Sequence, residues 1–128
     1  MQPVTAYLVN LACGVALLAV FFFVYCRFTP YDEIALIRKG NRAAARSLGG
    51  AMLGFCLTLY SSILHNDTLL VSIAWAAGGM VVQLALYLLI AHTIARVDQS
   101  IVDDNEAMGT FLGALSVAVG LINAACMS

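Results

Sequence analysis

The chain has 128 residues, of which 62% are hydrophobic and only 10% charged, with six Lys and Arg against seven Asp and Glu. A soluble domain carries roughly a quarter of its residues as charges, so this composition excludes a soluble globular enzyme and a disordered chain. The lack of a basic excess excludes a nucleic-acid binder. An integral membrane protein remains, and composition names no activity for it.

In chain order, the first 26 residues carry no Asp, Glu, Lys or Arg. Their apolar part predicts a membrane-crossing helix over residues 4–25, since about 20 apolar residues span the hydrocarbon core. The segment lacks a basic flank and its apolar run is too long for a cleaved signal peptide. The next segment holds Arg27, Arg38, Lys39, Arg42 and Arg46. Within it, Thr29-Pro30-Tyr31-Asp32-Glu33 offers a capping hydroxyl, a proline at the first helical position and acids in the first turn. With Ile34, Leu36 and Ile37, and Arg38-Lys39-Gly40 as a stop, it predicts a short interfacial helix starting at Thr29; an unstructured basic linker is the alternative.

A second span is predicted over residues 47–64, a third over 69–94 and a fourth over 107–127, the second being shortest and the third longest. Asn41 and Asn105 stand where the second and fourth helices begin, as N-caps. Small residues four apart follow each cap: Ala45/Gly49 and Gly50/Gly54 in one, Gly109/Gly113 in the other. Such pairs let transmembrane backbones approach closely, so these two spans are expected to cross near their cytoplasmic halves, or to join subunits.

The intramembrane polar groups sort by depth. Gln83, Thr58 and Ser116 lie near mid-span, and Asn10, Ser61, Ser62, Ser72 and Asn123 lie in the outer quarter. They bond helix to helix or line a water-filled cavity. His65 is expected in the outer turn and His92 near the inner end of the third span. No nucleotide, metal or catalytic motif is present, so no catalytic residue, metal or cofactor is expected. Cys126, near the outer face, leaves a redox role as a minor rival.

All six basic residues fall in the first and second long loops, because Arg96 joins the five already named. The positive-inside rule then places both loops in the cytoplasm and both termini outside. Arg27 to Arg46 carries five basic residues against Asp32 and Glu33, while Arg96 to Glu106 carries one against Asp98, Asp103, Asp104 and Glu106. The balances, +3 and −3, predict that the two loops, with Arg38 and Lys39 among their charges, pair within one molecule or between neighbouring subunits, Arg42 and Arg46 against Asp103 and Asp104. The alternative is that the first loop binds anionic lipid while the acids of the second cap the fourth helix.

The two halves align at an offset of 64 residues. Asn41-Arg42-Ala43 falls on Asn105-Glu106-Ala107, Leu48-Gly49 on Leu112-Gly113 and Ile37 on Ile101. The fold class expected is an all-α membrane protein with four transmembrane helices, as parallel two-helix repeats over residues 1–64 and 65–128.

Thr29-Pro30-Tyr31-Asp32-Glu33, Asn41-Arg42-Ala43-Ala44-Ala45, Gly49 with Gly54, and the tail Asn123-Ala124-Ala125-Cys126-Met127 carry a resemblance. They resemble the YjfL-like bacterial inner-membrane proteins, over nearly the whole chain. The resemblance implies a bacterial inner-membrane location and a duplicated two-helix unit, with no catalytic residue to carry over. Relatives often lie near envelope-stress proteins of the phage-shock type, which implies a context and no mechanism. The expected partners are therefore the lipid bilayer, further copies of the chain and a cytoplasmic envelope-stress protein. The expected function is a self-associating, non-enzymatic channel, transport-related or membrane-stress component. An adaptor docking a cytoplasmic partner through its charged loops is the alternative.

Overall fold

The computed structural model describes residues 3–127. Its elements in chain order are α1 (Pro3–Phe28), α2 (Glu33–Arg38), α3 (Arg42–His65), α4 (Leu69–Thr93), α5 (Val97–Val102) and α6 (Glu106–Cys126). Four of them, α1, α3, α4 and α6, are long and apolar enough to cross a membrane. The lengths correct the expected order: α6 is shortest at 21 residues and α1 longest at 26. Helix α3 starts at Arg42 because Asn41 caps it there, its side chain accepting from the Ala44 N–H at 2.8 Å. The basic residues of its first turn therefore sit on the helix itself. Asn105 caps α6 in the same way, accepting from Met108 N–H at 3.2 Å.

The interfacial helix α2 starts later than expected. Asp32 is its cap, accepting from Ala35 N–H at 3.2 Å. Thr29 is buried, and its hydroxyl donates to the Cys26 carbonyl at 3.2 Å. Helix α5 was not expected, because Arg96 before it sits at φ 60° with no side-chain cap. Yet α5 lies 64 residues after α2, and the backbone bonds that close the two helices share that offset. Lys39 N–H donates to Ala35 O and Asp103 N–H to Gln99 O; Asn41 N–H donates to Leu36 O and Asn105 N–H to Ser100 O. Gly40 and Asp104, both at positive φ, occupy equivalent positions.

In lipid there is no hydrophobic drive between helices, so small size and polarity decide which helix goes inside. Helix α3, with its glycines, serines and threonine, is the most buried. It lies along α6 in the same direction, from Ala43 against Gly109 near one end to Ser61 against the Ala124 carbonyl near the other. The contact runs the length of both helices and is not confined to their cytoplasmic halves. Helix α4 packs on both α3 and α6. Beside the α3–α4 turn, Ser62 Oγ donates to Ser72 O at 2.5 Å and Ser72 Oγ returns the bond to Ser62 O at 3.2 Å. Helix α1 is attached most closely near its C-terminal end, where Phe21 and Tyr25 are its buried residues. Phe21 stacks on Phe55 with ring centroids 4.6 Å apart, and Tyr25 meets Tyr87 edge-on at 5.8 Å.

Candidate functional site

The α3–α6 contact is built on a row of small residues spaced three and four apart, so that they share one helix face. On α3 this row includes Ala43, Ser47, Gly50, Gly54, Thr58 and Ser61; all are buried. A Cβ built on Gly50 would strike the Gly113 backbone, and one on Gly109 would strike the Ala43 backbone. Gly54 faces the Ser116 carbonyl and sits 2.6 Å, at its missing Cβ, from Gln83 Nε2. Gly49 is the exception among the expected contact glycines: nothing lies within 4 Å of its Cβ position. One residue of rotation, about 100°, carries it off the face that Gly50 occupies. Ala45 is exposed for the same reason. Gly120, against the Gly54 backbone, and Gly79, against the Thr58 side chain, complete the contact. The signal for Gly120 was the continuation of the Gly109/Gly113 spacing through Ser116.

Polar side chains follow this interior from the C-terminal ends of α3 and α6 toward their N-terminal ends. Ser61 Oγ donates to Ala124 O at 2.7 Å. Thr58 Oγ1 donates toward Gly54 O and Gly120 O, both at 3.3 Å, and accepts from Asn123 Nδ2 at 3.5 Å. Gln83, 1% exposed, donates from Nε2 to Ser116 O at 3.0 Å. Gln83, Thr58, Ser116 and Asn123 therefore meet as one interhelical seam, bonded largely to carbonyls. Of the two arrangements the sequence offered, bonding from helix to helix is the one these contacts make. Asn10 does not join them. It is exposed on α1 and has no hydrogen-bond partner among the described residues. It lines an open groove of about 440 Å³ between α1 and α3, with Tyr7, Gly14, Cys56 and Ile63 among its walls.

The seam ends in a cluster that the sequence did not announce. Glu33, read as an acid complementing a helix start, is 2% exposed, and neither carboxylate oxygen has a hydrogen-bond partner. Tyr25, Tyr31 and Tyr87 lie within electrostatic reach of it. Burial raises its pKa from 4.5 to about 7; the Thr29 hydroxyl pulls the other way, and the Asp32 charge adds less to the rise. Burial also pushes the Tyr31 phenol up, with Tyr87 and Glu33 reinforcing it. The buried side-chain atoms left without a partner among the described residues are both Glu33 oxygens, Tyr87 Oη and Gln83 Oε1. Gln83 and Tyr87 are one turn apart on the same face of α4.

The charged loops meet, with a changed pairing. Glu106 receives Arg42 at 3.2 Å and Arg46 at 3.6 Å. Asp104 accepts from the backbone N–H groups of Arg42 and Ala43 at 2.8 and 3.0 Å, so it caps α3 from across the loop. Asp103 turns to Gln99 at 2.9 Å instead. Asn41 Nδ2 reaches back to Ile101 O at 2.8 Å. Arg38 and Lys39 are exposed and make no ion pair among the described residues. His65 ends α3, bonded to Ser61 O at 3.0 Å, and His92 is exposed near the end of α4. Among the described residues no group of His, Cys, Asp and Glu could hold a metal ion, and Cys13, Cys26, Cys56 and Cys126 are all free.

Four apolar helices tied by a small-residue and amide seam define a multi-pass membrane protein. The family profile described as Domain of Unknown Function (DUF350) matches residues 1–127. The chain is 32% identical over 115 residues to the UPF0719 inner membrane protein YjfL of Escherichia coli K12, covering 90% of this chain and 87% of that protein. It is 35% identical over 121 residues to the UPF0719 transmembrane protein YshE of Bacillus subtilis, covering 93% and 87%. The chain belongs to this YjfL-like family. No solved structure matches it.

Proposed function

We propose that the chain is a self-associating, non-enzymatic, transport-related protein of the inner membrane, whose working unit is a symmetric oligomer assembled through α1. The observation that carries this reading is Asn10. Its exposed, unpartnered amide sits within a membrane-spanning helix, beside an open groove. An unsatisfied amide in hydrocarbon costs several kcal/mol by rough estimate. An amide both donates and accepts, so Asn10 of one copy complements Asn10 of another across a twofold axis. Within one subunit the α3–α6 interior is closed by backbone contact at Gly50 and Gly113, so any conduction belongs to the oligomer.

Two further features of the reading rest on sequence and geometry together. The duplicated two-helix unit is supported by the shared offset of α2 with α5, of Asn41 with Asn105, and of Gly40 with Asp104. Both termini outside is supported by the basic residues, all of which lie from the last turn of α1 to the second turn of α3 or between α4 and α5. The inner-membrane location is carried by the name of the Escherichia coli relative. An adaptor role is the second reading. It is favoured by Arg38 and Lys39, free on α2 beside the exposed Ile34.

The test is Asn10→Cys in native membranes. A dimer-sized crosslink at this position is expected, together with an oligomeric mass in mild detergent and nanodiscs that falls for Asn10→Leu. A monomeric mass for the natural sequence in both, with no crosslink, overturns the assembly.

A further inference from the structure

We propose that Glu33 is a proton-binding site at the cytoplasmic end of the bundle, and that the proton it holds fastens α2 onto the bundle. A buried carboxylate needs a counter-charge or donors, because an isolated charge taken out of water is strongly disfavoured. Glu33 has neither. Its two oxygens are fully buried and unpartnered, and the ion pairs among the described residues, Arg42 and Arg46 with Glu106, do not involve it.

The surroundings supply no cation. On α1 it faces Tyr25 and Cys26, in the connecting loop Tyr31 and Asp32, and on α4 Tyr87, while Asp98 of α5 reaches Tyr87. Each of these groups is neutral or negative. The Thr29 hydroxyl is committed to the Cys26 carbonyl at 3.2 Å, and its other bond, at 3.4 Å, goes to the Tyr31 carbonyl. A proton resolves the site. Carboxylate plus proton gives a neutral carboxyl, which removes the cost of a buried charge that no donor reaches. A single carboxylate among neutral oxygens is also the chemistry of an alkali cation, and the experiment separates the two ligands.

The consequence falls on α2. Glu33 is its first residue, so exposing the carboxylate requires α2 to leave its place against the bundle. The undocked carboxyl has the ordinary pKa of 4.5 and the docked one about 7. Docking is therefore strongest at low pH. It weakens as pH rises through the interval between the two values and levels off above the upper one. The full change in the docking equilibrium is about 300-fold, the ratio set by that shift. A rise in cytoplasmic pH loosens the loop. This inference does not rest on assembly through α1, since the Asn10 groove is lined by other residues.

The experiment is infrared titration of the full chain in nanodiscs, following the protonated-carboxyl stretch from pH 4 to 9 in sodium-free buffer and again in high sodium or potassium chloride. A band that titrates near pH 7, vanishes in Glu33→Gln and ignores the alkali salt is expected. Protease or hydrogen-exchange protection of residues 33–38 should fall with the same midpoint, and the Glu33→Gln protein should stay protected across it. Should Glu33→Gln fail to fold, Glu33→Asp serves, its band moving in frequency or midpoint. Titration of every carboxyl in the ordinary range overturns the site. A midpoint that shifts down with sodium or potassium concentration overturns the proton in favour of an alkali cation.

Discussion

Gly50 and Gly49 are neighbours with opposite surroundings, and they separate packing from propensity. A methyl group at Gly50 must displace the backbone of Gly113, which has no flexible side chain to yield. At Gly49 it meets nothing within 4 Å. Overpacking a tight contact costs about 1–3 kcal/mol. Replacing an unpacked helical glycine by alanine recovers up to about 1 kcal/mol of backbone entropy. Gly50→Ala should therefore lower the thermal midpoint followed by circular dichroism in detergent, whereas Gly49→Ala should leave it unchanged or raise it. Equal effects at both positions would sink the assigned helix face. The sequence showed that α3 is lined with small residues, but not which of two adjacent glycines faces α6. In water the polar side of a helix marks its exposed face. In lipid both faces are apolar, and a one-residue ambiguity turns the helix by about 100°. Glu33 was illegible for a different reason: an acid in the first turn of a helix is ordinarily an exposed complement to its dipole. Only the three-dimensional placement of Tyr25, Tyr31 and Tyr87 around it reveals the burial.

Helices α2 and α5 bring their loops together, and two kinds of acid act there with unequal weight. Glu106 pairs with Arg42 and Arg46, but those arginine side chains are 72% and 48% exposed, so each pair is worth about 0–1 kcal/mol. Asp104 instead satisfies two backbone N–H groups at the start of α3, a cap worth about 1 kcal/mol or more. Asp104→Gly keeps the positive φ that Gly40 also adopts, so it removes the cap without adding strain. It should destabilise the bundle more than Glu106→Gln in the same thermal assay, and high salt should erase only the Glu106 effect. A larger loss at Glu106 would mean that ion pairing dominates. At this scale the sequence told a good deal. The four spans stand out because hydrocarbon thickness demands length and apolarity, and the caps Asn41 and Asn105 mark two helix starts. Helix α5 stayed hidden because Val97–Val102 begins after an uncapped Arg96 and ends without a glycine, so it carries no local stop or start signal. Its position 64 residues beyond α2 was the available clue.

For the molecule as a whole, the basic residues fix the expected orientation. Arg27, Arg38, Lys39, Arg42 and Arg46 run from the last turn of α1 to the second turn of α3, and Arg96 lies between α4 and α5. The outer turn between α3 and α4 contains no Lys or Arg. Inverting the molecule would send five of the six basic residues across the membrane in one loop, against the positive-inside bias. The same orientation puts Glu33 and the Arg42–Glu106 pair on the cytoplasmic side, and the Ser62–Ser72 clasp on the other. A reporter active only in the cytoplasm should thus be silent when fused after Ser128 and active when inserted at Gly40, where the chain turns at the surface. A labelling test gives the reciprocal result: Cys126, exposed near the end of α6, should react in intact cells with a membrane-impermeant thiol reagent. In a Cys126→Ser background, a cysteine placed at Lys39 should react only after lysis. Activity at Ser128 together with labelling at position 39 in intact cells would reverse the orientation. The proton site would then face outward, and its response would follow external rather than cytoplasmic pH.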